Sequence, residues 1–261
     1  MKLVVKLGGE VIEGEEGGRI AREIADLVQA GHELVVVHGG GPQATALSKR
    51  LGIQPQIVNG RRITDAATLE VMKATLGRVN IDLCAALQAA GVRSVGLHGA
   101  VRARRRLPMR LPGAGAEPVD LGWVGDITAI DTMLLEQLVV AGYLPVLACL
   151  GTGEEGEIYN INADVVATRL AATVGADVLL FVTGVGGVLR DVRDPSTRLA
   201  RLSVAEGRAA IAAGEVSGGM IPKLEESFTA LSEGARAILI VGGELARAVR
   251  EPGSVGTWLV Y

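Results

Sequence analysis

Short apolar runs alternate along the chain with longer stretches whose apolar positions recur at helical spacing. Leu3–Leu7 is an apolar run interrupted only by Lys6; it stops at Gly8-Gly9 and reads as a buried strand. Gly18–Ala30 sets Ile20, Ile24, Leu27 and Val28 on one helical face, and Gly31 ends it. Glu33–His38 is the next strand. It runs into Gly39-Gly40-Gly41, and Pro42 suits the first turn of a helix reaching Leu51. Gln54–Asn59 predicts a short strand. Thr64-Asp65 opens a helical region to Ala90, read as two helices broken near Gly77. Arg93–Leu97 predicts a strand. Residues 99–122, with prolines at 108, 112 and 118, read as loop, and Trp123–Ile127 as a strand leaving it.

The same alternation continues to the end. Ile130–Ala141 reads as helix, Leu144–Leu150 as strand and Glu154–Asn160 as a hairpin arm. Asn162 caps a helix to Val174. Asp177–Thr183 is a strand followed by Gly184-Val185-Gly186-Gly187. Ser203–Ala213 is a helix, and Gly218-Gly219 precedes another from about Ile221 to Glu233. Ala237–Val241, Glu244–Arg250 and Thr257–Tyr261 read as strand, helix and strand. This order predicts an α/β fold, a doubly wound, mainly parallel sheet with helices on both faces. Ligands on such sheets bind beyond the carboxyl ends of strands. Three of those ends carry glycine clusters here.

Composition narrows the function classes. The 261 residues are 49% hydrophobic and 21% charged, enough for a sizeable core. A net charge of −3 and an aromatic content of 3% argue against a nucleic-acid partner. No uncharged apolar run reaches the roughly 18 residues of a membrane span. The opening segment is broken by Gly8-Gly9 too early for a signal peptide. A cytoplasmic location is the expectation. Cys84 and Cys149 stand alone in apolar runs, so buried thiols are expected rather than a zinc site.

The glycine turns are candidate anion sites, since glycine lets backbone N–H groups approach a phosphate at a helix N-terminus. None is a P-loop, and none fits the dinucleotide fingerprint. Lys6 places a charge near the end of a buried strand, which is costly unless paired. Either it is solvated on an edge strand or it meets an anion. Lys223 lies near a helix start, where a cation is unfavourable unless an anionic ligand is present. Asp164 is either a first-turn acid behind a cap or the group that orients two lysines. Arg62 can fork onto a carboxylate or lie on the surface. His38 ends a strand beside Gly39 and reads as structural rather than basic. His98 ends another strand with no clear role. No Ser-His-Asp pattern and no HExxH is present.

Together these segments resemble the acetylglutamate kinases of the amino-acid kinase superfamily. The resemblance is carried by Val5-Lys6-Leu7-Gly8-Gly9, Val37-His38-Gly39-Gly40-Gly41-Pro42, Asn59-Gly60-Arg61-Arg62-Ile63-Thr64, Asp120-Leu121-Gly122-Trp123-Val124-Gly125, Asn160-Ile161-Asn162-Ala163-Asp164 and Gly218-Gly219-Met220-Ile221-Pro222-Lys223, in family order. It implies an αβα sandwich that transfers a phosphoryl group from ATP to the side-chain carboxylate of N-acetyl-L-glutamate, early in arginine biosynthesis. It implies that Lys6 and Lys223 stabilise the moving phosphoryl group and that Asp164 holds both lysines. Gly8, Gly9, Gly40 and Gly41 would offer N–H groups to phosphate and substrate, Arg62 would bind the α-carboxylate, and Asn160 would help hold the substrate. Thr183, Gly184, Gly186, Gly218, Gly219 and Met220 would belong to the nucleotide side. Mg²⁺ would be bound through the nucleotide phosphates, with no metal-ligand set from the protein. One domain with two lobes is implied. The lobe of about residues 1–160 would take the amino-acid substrate and form a homodimer, and that of about 161–261 would take the nucleotide.

The chain departs from the family pattern in two places. Ala100-Val101-Arg102 stands where an Asp-Gly pair is usual in the family, and Gly184 where an aspartate is usual. The patch Arg102, Arg104, Arg105 and Arg106 reads as a solvated loop. Arginine-inhibited members of the family it resembles carry an extra N-terminal helix, and this sequence opens on its first strand, so the resemblance implies a dimer without arginine inhibition. Two other readings stand beside this one. One is a sister kinase acting on an aminoadipyl or glutamyl group of a carrier protein. The other is a non-catalytic amino-acid sensor, against which the presence of Lys6, Asp164 and Lys223 together argues.

Overall fold

The computed structural model describes residues 1–58, 60–110, 117–191, 193–216 and 220–261. The first half runs β1 (Lys2–Leu7), α1 (Gly14–Gln29), β2 (Glu33–His38), α2 (Gly41–Arg50), β3 (Ile57–Val58), β4 (Arg61–Arg62), α3 (Ala66–Ala89), β5 (Ser94–Leu97), β6 (Val101–Arg105) and β7 (Gly125–Ile130). It is followed by α4 (Thr132–Val140), β8 (Leu144–Ala148), β9 (Leu150–Thr152), β10 (Ile158–Asn160), α5 (Ala163–Val174) and β11 (Val178–Val182). The chain ends with β12 (Arg201–Ser203), α6 (Val204–Ala212), α7 (Met220–Ser232), β13 (Ile238–Val241), α8 (Leu245–Arg250) and β14 (Thr257–Val260).

Eight strands form the main sheet in the order β12-β14-β13-β11-β1-β2-β8-β5. Every neighbouring pair is parallel except β13 and β14. The central strands are buried on both faces, which is why they read as unbroken apolar runs. Leu3, Val5 and Leu7 pack with α1, α8 and the second half of α3. Val4, Val37 and Phe181 face the other way, into a cluster with α2, α4, α5, α6 and α7. Leu7 pairs with His38 and Val182, and Val182 with Val241. The glycine turns after β1, β2 and β11 therefore collect at one edge of the sheet. A fourth turn, Gly242-Gly243 after β13, joins them.

A second, four-stranded sheet, β10-β9-β6-β7, covers part of this edge. The stretch 99–122 is thus not all loop: β6 pairs antiparallel with β7. Val101 and Ala103 point inward and Arg102 and Arg104 outward, a period-two pattern that the run of arginines hides. The arginines at 102 and 104 stand on a strand face. Likewise α3 is one 24-residue helix that passes through Gly77 without a break. One interior glycine costs only about 1 kcal/mol against alanine. The buried face of Leu69, Met72, Leu76, Val79, Leu83 and Leu87 outweighs that cost. Helix α1 begins four residues before the expected Gly18, at Gly14, and β12 was not foreseen. Among the described residues, no helix is long and apolar enough to cross a membrane.

Phe181 is fully buried in β11, between β1 and β13. Phe181→Ala is expected to lower unfolding free energy by about 3–5 kcal/mol, since large-to-small core changes leave a cavity. A guanidinium titration of both proteins measures it, and a midpoint unchanged from wild type would contradict this packing.

Candidate active site

Lys6 is the penultimate residue of β1 and only 7% exposed. Its register neighbours are Val37 and Phe181, so its side chain leaves the sheet on the face covered by α5 and α7. Asp164 meets it there. The Asn162 side chain caps α5 by accepting from the Asp164 N–H at 2.7 Å. That cap and the first helical turn fix the carboxylate, which the helix end also favours. Asp164 Oδ1 lies 2.7 Å from Lys6 Nζ, and Oδ2 lies 4.0 Å from Lys223 Nζ. Lys223 comes from the first turn of α7 and rests over the Phe181 ring, 5.3 Å from its centre. Both sequence readings of Asp164 therefore hold at once: it is a first-turn acid and it joins two lysines.

Two cations share one carboxylate in a largely buried place, with Glu10 and the half-buried Glu226 adding negative charge nearby. Burial alone would raise the Asp164 pKa, but the Lys6 and Lys223 ammonium groups and the Lys6 hydrogen bond hold it below the usual range. Burial pushes Lys223 down. Asp164 supports its charge, and Lys6 opposes it. An incoming anion relieves that repulsion, so the trio is built to receive negative charge.

Lys6 and Asp164 face a cavity of about 770 Å³, with Lys223 behind Asp164 and outside the lining. Lys6, Asp164, Gly9, Gly40, Gly41, Arg62 and Asn160 all line it. The Gly8 N–H is engaged, donating to the Val182 carbonyl at 3.1 Å, so Gly8 differs from the expectation of a free donor. A Cβ there would fall 2.4 Å from the Glu10 carboxylate, the free end of a flexible side chain that can turn aside. Gly9 is needed because α2 lies on it: a Cβ would come within 2.7 Å of the Pro42 ring. Gln43 then donates to the Gly9 carbonyl at 2.6 Å, tying the first glycine turn to the second. Sequence reading missed Gln43, which carries no motif of its own.

Arg62 reaches the cavity from the β3–β4 hairpin. Its Nη2 donates to Thr45 Oγ1 at 2.7 Å and to the Gly41 carbonyl at 3.2 Å. Its Nη1 is buried with no hydrogen-bond partner among the described residues, and burial lowers the guanidinium pKa. An unpartnered buried donor on a cation marks a place for an anionic acceptor. Asn160, at the end of β10, donates to Thr64 Oγ1 at 3.1 Å and is 9% exposed. Arg106 also lines the cavity, with its guanidinium 2.6 Å from Asp126. The basic patch thus divides: Arg106 belongs to the cavity wall, Arg105 pairs with Asp120, and Arg102 and Arg104 are exposed.

Thr183, Gly184 and Gly186 follow β11, beside the β1 turn, and do not line the cavity. The Thr183 hydroxyl closes this turn on the Val185 carbonyl at 2.6 Å. A Cβ on Gly184 would touch only Glu10, whose side chain occupies the neighbouring space. Met220 opens α7. Asn59, Gly218 and Gly219 lie outside the described residues. His98 is exposed. Cys149 is buried in the cavity wall, and burial pushes its thiol up to about 12, so it is inert. Cys84 is half-buried.

Because the folded-state pKa of Asp164 is depressed, its stabilising effect is present above the unfolded value near 3.8 and is lost as pH falls below it. Asp164→Asn is expected to cost about 3–5 kcal/mol at pH 7, by leaving two buried ammonium groups without a counter-charge. It should also flatten the loss of stability below about pH 4. Denaturant midpoints from pH 7 to 3 test this, and parallel profiles for the two proteins would contradict it.

A family model described as "Amino acid kinase family" matches residues 1–242. The acetylglutamate kinase of Sorangium cellulosum (strain So ce56) is 58% identical, with 99% of this chain and 94% of that protein covered. That of Anaeromyxobacter sp. (strain K) is 53% identical, covering 99% and 98%. Among solved structures, N-acetylglutamate synthase from Neisseria gonorrhoeae, complexed with coenzyme A and N-acetyl-glutamate, superposes with a TM-score of 0.85 at 25% identity. The match covers 100% of this chain and 59% of the synthase. By the family model and the two kinases together, the chain belongs to the amino acid kinase family and, within it, to the acetylglutamate kinases.

Proposed function

We propose that this chain transfers the γ-phosphoryl group of ATP to the side-chain carboxylate of N-acetyl-L-glutamate, giving the acyl phosphate early in arginine biosynthesis. The observation that carries the chemistry is one carboxylate, Asp164, holding Lys6 at 2.7 Å and Lys223 at 4.0 Å beside a cavity lined by glycine turns. Two cations in low-dielectric surroundings suit a phosphoryl group that spreads negative charge over its oxygens in the transition state.

The acceptor carboxylate, with a pKa near 4, is already ionised at pH 7 and needs no general base. Its oxygen forms a bond to the γ-phosphorus as the bond to the bridging oxygen breaks. ADP leaves with the electron pair, and no proton has to move. Lys6 stands on the acceptor side of this exchange, because it lines the cavity. Lys223 stands on the nucleotide side, at the start of α7. Asp164 holds both in place. Arg62 takes the α-carboxylate on its unpartnered Nη1, and Asn160 helps fix the bound substrate. Gly9, Gly40 and Gly41 turn backbone N–H groups toward the reacting oxygens.

The nucleotide lies along the turns at Thr183, Gly184, Gly186 and Met220, together with Gly218 and Gly219. Among the described residues no three His, Cys, Asp or Glu side chains are grouped to hold a metal. Asp164 is committed to lysines, so Mg²⁺ fits as an ion carried on the nucleotide phosphates, where it would neutralise their charge. In this reading residues of about 1–160 serve the acetylglutamate and those of about 161–261 the nucleotide. The active form is a homodimer joined through the first of these lobes.

Purified protein with Mg-ATP and N-acetylglutamate is expected to give an acyl phosphate that hydroxylamine traps as the hydroxamate. Lys6→Ala and Lys223→Ala should each lower kcat by roughly 10²–10³, the typical cost of removing one charge-stabilising donor. Arg62→Ala should act mainly on the acceptor KM. A folded, ATP-binding protein that makes no hydroxamate would overturn the assignment and favour the carrier-protein kinase.

A further inference from the structure

His38 is fully buried at the end of β2, directly before the glycine turn. Its Nδ1 lies 2.9 Å from the Gly39 carbonyl oxygen. A carbonyl can only accept, so Nδ1 carries the proton. Its Nε2 lies 2.9 Å from Asn80 Nδ2, an amide nitrogen that can only donate. Nε2 is therefore the acceptor, and the ring is the neutral Nδ1–H tautomer. Burial keeps it neutral, pushing its pKa down to about 4. The second Asn80 N–H goes to the Val146 carbonyl at 3.1 Å. Asn80 Oδ1 sits where a Cβ on residue 96 would be, 1.9 Å away, so Gly96 makes room for it. The ring is thus held by Asn80 of α3, which is itself held by β8 and fits against β5.

The peptide group explains what this network does. In a planar trans peptide the C=O of Gly39 and the N–H of Gly40 lie in one plane and point opposite ways. Fixing the Gly39 oxygen on the His38 ring therefore fixes the direction of the Gly40 N–H. Gly40 lines the cavity, and among the described residues its N–H has no acceptor. The Gly39 N–H is itself held, donating to the Leu7 carbonyl at 3.0 Å. The plane before Gly40 is thus pinned at its oxygen, and the preceding plane at its N–H. Glycine rotates more freely than any other residue, so such a turn needs an external anchor to present a donor steadily.

We infer that His38 is a positioning residue for the phosphoryl-transfer reaction: through its Nδ1–H bond to the Gly39 carbonyl it aims the Gly40 N–H at the reacting oxygens. The inference rests on the reading of the site as an acetylglutamate kinase, in which Gly40 faces the substrate. His38 touches no substrate and takes no proton.

Two substitutions separate positioning from packing. The amide nitrogen of Asn overlays histidine Nδ1, whereas the amide of Gln overlays Nε2, where its oxygen can accept from Asn80 Nδ2. His38→Asn keeps a donor for the Gly39 oxygen and loses the Asn80 contact. His38→Gln reaches Asn80 and loses the Gly39 donor. The expected result is a kcat for His38→Gln about 10²-fold below wild type with the acceptor KM within a few-fold. His38→Asn should stay within about 10-fold in kcat, although both variants melt below wild type. Equal loss of kcat in the two variants, or wild-type kcat in His38→Gln, would overturn the inference. Wild-type protein and Lys6→Ala run in the same assay separate the two failures. If the wild type makes hydroxamate and Lys6→Ala does not, the kinase reading stands whatever His38 shows.

Discussion

A lysine near the end of a central strand has to be paid for, and Asp164 does so. Lys6 is flanked by two parallel strands and covered by two helices, so its ammonium meets water only on the side of the cavity. The carboxylate that compensates it stands in the first turn of α5, where a side-chain cap and the helix end both favour an acid. The same carboxylate then draws in Lys223 from α7. One buried charge therefore fixes the relation between β1, α5 and α7. Two ammonium groups held side by side are what a phosphoryl-transfer site needs. Stability and function share an interaction here.

The sheet does the rest of the positioning. Its parallel strands end level, so four glycine turns collect at one edge, with those after β1 and β2 beside Lys6. These turns are not free loops. Gly9 is pressed by Pro42 and anchored through Gln43, and the Gly39 carbonyl is held by His38. Each anchor comes from the element next door, so the donors of one turn depend on the packing of another. The small second sheet and the β3–β4 hairpin close the acceptor side, with Arg62 and Asn160 brought together through Thr64, Thr45 and Gly41.

Much of this was legible in the sequence because the central strands are uniformly apolar and end in glycine. Lys6 stood out as a charge in an apolar run, and Asp164 as an acid behind a capping Asn. What the sequence left open was pairing. Spacing alone did not distinguish a first-turn acid from one that joins two lysines 217 residues apart in number, since that requires the fold to bring α7 over β11. The errors share a cause. Gly77 signalled a break that buried apolar contacts override, and the arginines of β6 masked a strand whose small inward residues, Val101 and Ala103, carry the alternation. Gln43 and the Gly8 N–H show the other limit: whether a backbone donor is free depends on which strand lies beside it.

The central claim is that Lys6 and Lys223, held by Asp164, are organised for the charge of the moving phosphoryl group rather than for ground-state substrate. Calorimetric binding of aluminium fluoride in the presence of Mg-ADP and N-acetylglutamate tests it directly, since mimics of a transition state bind far more tightly than substrates. The account predicts that Lys6→Ala and Lys223→Ala each weaken aluminium fluoride binding by about 10²-fold or more, with N-acetylglutamate affinity changed only a few-fold. Aluminium fluoride bound as tightly by both variants as by the wild type would contradict it.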